Sequence, residues 1–262
     1  MTMEQTSTAA GTAPTGRAGA PVVVVDALDY AQRVVLQGAE IPWEPASHVR
    51  FLGQISALLR PDRTLIDVGR LSDALLAGRP DLAAAMAARS RTGYALRTLL
   101  ADEQIAGAAV ETVRIAAASG VRPIVLQLPS PGVWLSRTAA IAGVDDDADA
   151  DDRENASVYV ADWLRRFAEL PVQGIVLDGR GAREPETLAE YGPLRGLAEH
   201  YRWELLLRTD TGVDSLLSEA EGVPSAWWKC EDEGRVDADW LIAEIPVDAV
   251  AEEVLVRRSA LT

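Results

Sequence analysis

From Pro21 onward the chain alternates short, mostly β-branched apolar runs with longer stretches in which apolar side chains recur every three or four positions. Val22-Val23-Val24-Val25, ending at Asp26, reads as a strand buried on both faces. Leu28 to Leu36 follows as helix, with Gly38 as its stop. Ile41-Pro42-Trp43-Glu44-Pro45 cannot be regular helix, because each proline restricts the residue before it. Val49, Leu52, Ile55, Leu58 and Leu59 then form a helical stripe, with Ser47 as N-cap and Pro61 as terminator. Thr64 to Val68 predicts a strand carrying Asp67 near its end. Residues 71–100 predict two helices broken near Gly78-Arg79-Pro80. A further helix covers Glu103 to Ala118 and stops at Gly120.

Pro123 to Leu128 predicts a strand that leaves through the loop Pro129-Ser130-Pro131-Gly132. Val160, Trp163, Leu164 and Phe167 mark a helix resuming near Ser157. Gly174 to Asp178 reads as strand, 186–200 as helix and Trp203 to Arg208 as strand. Residues 212–222 read as irregular, Ala226 to Lys229 and Trp240 to Ile245 as strands, and Val247 to Arg257 as the last helix. This order predicts an α/β fold with a parallel sheet and crossover helices. At 262 residues the chain matches the usual length of a β/α (TIM-like) barrel, about 250 residues. An early glycine-rich phosphate turn, as in nucleotide-binding open sheets, is missing. The expectation is a single barrel domain over 21–262. Residues 1–20, rich in Ala, Thr and Gly, are expected to be a disordered tail.

Composition narrows the function classes. Apolar residues make up 48% of the chain, enough for a large core, yet no long uncharged apolar stretch predicts a membrane span. No basic start followed by an apolar segment predicts secretion. One cysteine, Cys230, rules out an internal disulfide and fits a reducing compartment. The net charge of −15 argues against nucleic acid and against anionic membrane surfaces. The expected setting is the cytoplasm. Part of the charge is the run Asp145, Asp146, Asp147, Asp149, Asp151, Asp152, which reads as a solvated loop. It lacks the glycine and glutamate spacing of an EF-hand.

Three strand segments carry a family resemblance. Arg122-Pro123-Ile124-Val125-Leu126-Gln127-Leu128-Pro129-Ser130-Pro131, Gly174-Ile175-Val176-Leu177-Asp178 and Trp203-Glu204-Leu205-Leu206-Leu207-Arg208 together resemble strands of the uroporphyrinogen decarboxylase and cobalamin-independent methionine synthase superfamily. The resemblance covers roughly residues 120–210 and implies a β/α barrel. It does not carry either branch's chemistry across. The methionine synthase branch binds zinc through a His-x-Cys pair and a distant Cys, and this chain has only His48, His200 and Cys230. The decarboxylase branch's Arg-rich N-terminal motif is missing, and Asp26 and Asp67 are the only comparable positions.

In parallel β/α folds the working residues sit at strand C-termini. That rule selects Asp26, Asp67, Gln127, Asp178, Arg180, Arg208, Asp210, Lys229, Glu231 and Glu244. Asp178, Asp26 and Asp210 are the candidate catalytic carboxylates, able to exchange protons if burial raises a pKa. Gln127, Trp134, Arg180, Arg208 and His48 are the candidate substrate contacts. Arginine suits a bidentate grip on a carboxylate, and a buried glutamine must find a partner. Each has a plainer role open to it. Arg208 and Asp210 can pair only with each other, Asp178 can bond its own turn, Trp134 can be core, and His48 can be a packed helix-start residue. His200, at a helix end, favours the helix dipole. Cys230 beside Lys229 has no adjacent histidine to make it a nucleophile. No metal ligands and no particular cofactor are indicated.

Two functions fit. One is a metal-independent enzyme of the lyase, decarboxylase or group-transfer type, acting on a polar or carboxylated small molecule. The other is a non-catalytic barrel subunit or binding protein, homo- or hetero-oligomeric, whose tryptophans anchor a protein partner. Convergence of Asp26, Gln127, Asp178 and Arg208 on one pocket favours the enzyme.

Overall fold

The computed structural model describes residues 20–121, 123–145, 147–229 and 238–261. Residues 1–19 of the expected tail, Arg122, Asp146, Cys230 and Glu231 lie outside the described residues. The strands are β1 (Val22–Asp26), β2 (Thr64–Asp67), β3 (Ile124–Pro129), β4 (Val172–Asp178), β5 (Glu204–Arg208), β6 (Val213–Ser215), β7 (Ala220–Val223) and β8 (Trp240–Glu244). The helices are α1 (Leu28–Val34), α2 (Pro45–Leu59), α3 (Val68–Ala77), α4 (Pro80–Met86), α5 (Tyr94–Leu100), α6 (Glu103–Ala118), α7 (Pro131–Ala142), α8 (Ala150–Leu164), α9 (Gly192–Tyr201) and α10 (Ala251–Ala260).

The α/β class and the parallel strands are as the sequence predicts. The strands form two sheets, ordered β1-β8-β7 and β2-β3-β4-β5-β6, parallel except for the β5–β6 pair. One parallel bridge, Val24 to Arg63, joins them. The Asp62 carboxylate reinforces this seam by accepting from the Val23 backbone N–H at 2.9 Å.

Because strand side chains alternate, each strand offers two faces. One face packs under the helices in a core that runs from Val23 to Leu261. The other face forms a separate small core of Val24, Leu65, Val125, Val176, Leu206 and Ile242, one residue from each of six strands, including strands of both sheets. Below it, Gly174 leaves room for the Trp240 indole, whose tip lies 3.5 Å from where a Cβ would stand.

Several local readings change. Glu44, not Ser47, caps α2, accepting from the backbone of Ala46 and Ser47 at 3.2 and 2.9 Å. Pro45 starts the helix because its missing N–H would be unpaired there anyway. Pro131 does the same for α7, where a proline-rich loop was expected, and the Ser130 hydroxyl accepts from Val133 N–H. The acidic run is not all loop: Asp149 caps α8, and Asp151 and Asp152 occupy its first turn, where carboxylates favour the helix dipole. Residues 71–100 hold three helical segments rather than two. Ser225–Lys229 is a 3-10 turn that buries Trp227 and Trp228, not a strand. The segment read as irregular, 212–222, holds the short strand β6 and most of β7, which ends at Val223. The segment 186–200 is divided into a 3-10 turn, Leu188–Glu190, and α9. The last helix starts at Ala251, four residues later than the sequence indicates.

Candidate active site

Two residues beyond each member of the small inner core, the same pleat turns polar. The next side chains on that face are Asp26, Asp67, Gln127, Asp178, Arg208 and Glu244. The strands thus carry a dry layer capped by a ring of hydrogen-bonding groups at their C-terminal ends. Above the ring opens a cavity of about 200 Å³, lined by Asp26, Asp67, Gln127, Asp178, Arg180 and Glu244 and edged by Arg70 and Arg137.

The ring is wired together. Gln127 Nε2 donates to Asp67 Oδ2 at 2.9 Å and reaches Asp26 Oδ2 at 3.5 Å. Asp26 Oδ2 also accepts from Arg208 Nη1 at 3.1 Å, and Arg208 Nη2 donates to Glu244. Arg180 forks onto Asp178 at 2.8 and 2.7 Å and reaches Glu244 with its third nitrogen. Asp67 Oδ1 caps α3 by accepting from Arg70 N–H at 2.8 Å. At the rim, Arg70 pairs with Asp29 at 2.8 Å and Arg137 with Asp73 at 3.6 Å.

Burial and pairing set the protonation pattern. Asp67 is held up at about 7, chiefly because burial penalises its charge and further because Asp26 stands beside it; the Arg70 N–H and the Gln127 amide only partly offset this. Asp26 is also raised by burial, against the pull of Arg208. For Asp178 burial acts in the same sense, but the Arg180 fork outweighs it and holds the carboxyl below its usual range. The site thus holds one carboxyl that exchanges a proton near neutrality and another that stays ionised, an arrangement suited to acid–base chemistry. Among the described residues, no group of three or more His, Cys, Asp or Glu is arranged to hold a metal ion.

The predicted residues divide. Asp26, Gln127, Asp178 and Arg180 line the mouth, whereas Arg208 stands outside the lining and holds two of its members, Asp26 and Glu244. Arg208 and Asp210 do not pair: β5 ends at Arg208, so the two-residue alternation does not extend to Asp210. The chain turns there through Thr209 N–H to Gly212 O, and the Asp210 carboxylate accepts from Gly181 N–H at 3.1 Å, outside the cavity lining. Trp134 is fully buried, edge-on to Trp163 with centroids 6.0 Å apart, so it lines no part of the mouth. His48 is also fully buried: its Nδ1–H donates to Pro42 O at 2.9 Å, its ring stacks on Trp43, and burial lowers its pKa. Gly179, next to Asp178, is packed on Leu207, the Arg208 carbonyl and Glu186. Lys229 pairs with Asp248 at 3.1 Å in an exposed position.

Asp67 and Glu244 belonged to the strand-end set without being singled out. The signal for them was the offset of two from Leu65 and Ile242. Glu186, by contrast, had none. It follows β4 by eight residues, yet it is buried against Gly132 at the start of α7 and against Gly179.

Among the described residues, no helix is long and apolar enough to cross a membrane. No family model, curated protein or solved structure matches the chain, so the site's geometry stands as the ground for a functional reading.

Proposed function

We propose that this chain is a cytoplasmic small-molecule enzyme of the lyase, decarboxylase or group-transfer type. In this reading the two sheets form a distorted β/α barrel, a remote relative of the uroporphyrinogen decarboxylase and methionine synthase superfamily. Asp67 and Asp26 exchange the proton with a polar or carboxylated substrate, and Gln127, Asp178, Arg180 and Arg208 fix its position. The observation that carries the reading is the convergence of polar residues from five strands on one cavity, with a carboxyl held near neutrality among them. Chemistry at strand C-termini is the habit of parallel β/α folds.

The partner-protein alternative has less support. Five of the seven tryptophans, Trp134, Trp163, Trp203, Trp227 and Trp228, are buried and are not available as exposed anchors.

The test is a turnover screen against carboxylated and polar metabolites, following substrate loss and carbon dioxide release by mass spectrometry. The enzyme reading expects turnover that Asp67→Asn and Asp178→Asn abolish while both variants stay folded. Turnover unchanged in both variants, or none with any compound, removes the assignment.

A further inference from the structure

The mouth has more carboxylate than its own arginines can neutralise. Asp26, Asp67, Asp178 and Glu244 face two guanidinium groups, Arg180 and Arg208, and both forks are already occupied. The rim arginines Arg70 and Arg137 also hold carboxylates. Asp67 is the one carboxylate of the ring with no guanidinium in ion-pair contact among the described residues. Its oxygens meet only the Arg70 backbone N–H and the Gln127 amide.

A second observation points the same way. Gln127 lines the cavity, is only 3% exposed, and its Oε1 is buried with no hydrogen-bond partner among the described residues. An orphaned buried acceptor is costly and calls for a donor. The mouth is therefore short of positive charge and of N–H donors. A ligand carboxylate would have to take Arg180 from Asp178 or Arg208 from Asp26, stranding a buried carboxylate for each contact it gained. A ligand ammonium would break none of these pairs.

We propose that the mouth takes a ligand carrying a protonated amine, seated on Asp67 and Asp26. This rests on the reading of the mouth as a small-molecule site and selects, among polar substrates, those with an aliphatic amino group. The amine needs no redox partner and no covalent step; it binds by charge-assisted N–H···O bonds.

Three probes of one shape and different head separate the outcomes: n-propylamine, propan-1-ol and propionate. Each is titrated into the full chain at about pH 8, where an aliphatic amine is protonated, with binding read by calorimetry and thermal melting. Propylammonium is expected to bind saturably and raise the melting temperature, and propanol to do neither. Asp67→Asn is expected to raise the apparent Kd about ten-fold or more. Asp26→Asn serves as a second variant should the first fail to fold. Propionate binding that Asp67→Asn alters, with no propylammonium binding, overturns the amine and leaves the mouth as a ligand site. Propylammonium binding that is indifferent to both substitutions places it elsewhere on an acidic surface and also overturns the proposal. Binding of none of the three removes the amine proposal and weakens the mouth itself.

Discussion

Gln127 Nε2 lies 2.9 Å from Asp67 Oδ2, and the same nitrogen reaches Asp26, so one neutral amide is shared between two buried carboxylates. Replacing it with leucine leaves both acids without that donor. Gln127→Leu is expected to cost about 1–3 kcal/mol of stability, the usual loss when a buried acceptor is orphaned. Gln127→Glu adds a third carboxylate, so its cost is expected to be larger at alkaline than at acid pH. Chemical denaturation of both variants across pH measures this. A pH-independent loss in Gln127→Glu would show that the amide does not govern the pair.

Asp67 predicts a specific pH dependence. Its folded pKa, about 7, exceeds the ordinary value of 3.8. The folded protein therefore holds a proton that the unfolded chain releases, and stability from this group falls as pH rises between those two values. The penalty is absent below the lower value and complete above the upper one. Asp67→Asn keeps a side-chain oxygen to cap α3 and has no charge to bury. Relative to wild type, it is expected to gain stability progressively between about pH 4 and pH 7, reaching a few kcal/mol. A constant difference between the two proteins over that interval contradicts the raised pKa.

Arg208 and Arg180 are expected to behave differently. The Arg208 side chain is 10% exposed and joins Asp26 to Glu244, whereas Arg180 is 30% exposed. Arg208→Ala strands buried charge and is expected to cost about 3–5 kcal/mol. Arg180→Ala is expected to cost clearly less, because water can solvate what it leaves behind. Arg208→Lys keeps the charge but loses the fork, and is expected to fall between them. Melting curves of the three variants give the order, and equal losses for both alanine variants would contradict the bridging role of Arg208.

Gly132 and Glu186 form a pair that a double-mutant cycle can read. A Cβ on Gly132 would overlap the end of the Glu186 side chain and also press on Arg153, so alanine there must displace the buried carboxylate. Helix propensity alone would favour alanine by about 0.5–1 kcal/mol. Gly132→Ala is expected to destabilise wild type and to be neutral or stabilising on a Glu186→Ala background. The coupling is expected to exceed about 1 kcal/mol. Additive effects would show that the two do not compete for this space.

Much of the mouth was legible in the sequence, because strand-end position and alternation are local properties. Asp26, Asp178 and Arg208 each end a short apolar run and Gln127 interrupts one, and the fold joins all four through hydrogen bonds and ion pairs around Asp26 and Glu244. Reading the same alternation two residues back from Asp67 and Glu244 would have placed those as well. Legibility stopped where the chain leaves regular structure. Asp210 lies beyond the end of β5, so parity says nothing about it. Trp134 and His48 lie in or beside helices, where their burial depends on which helix covers them, and sequence spacing does not encode that. Prolines misled twice: at 45 and 131 they start helices, because a residue that interrupts a helix interior is well suited to its first position. Glu186 depends on a distant glycine leaving room, a relation visible only once both are placed.

The pairing of β1 with β8 also sets a timetable for the nascent chain. Val22 to Asp26 are made roughly two hundred residues ahead of their ladder partners, Trp240 to Glu244. At about 5–20 residues per second, the four-valine strand waits on the order of tens of seconds for that neighbour. Until then its backbone is held on that side by the bridge to Arg63 and by the hydrogen bonds that Val23 exchanges with Asp62. An unpaired, uncharged β-branched edge is a template for aggregation. C-terminal truncation before Trp240 is therefore expected to favour aggregation over a smaller soluble domain.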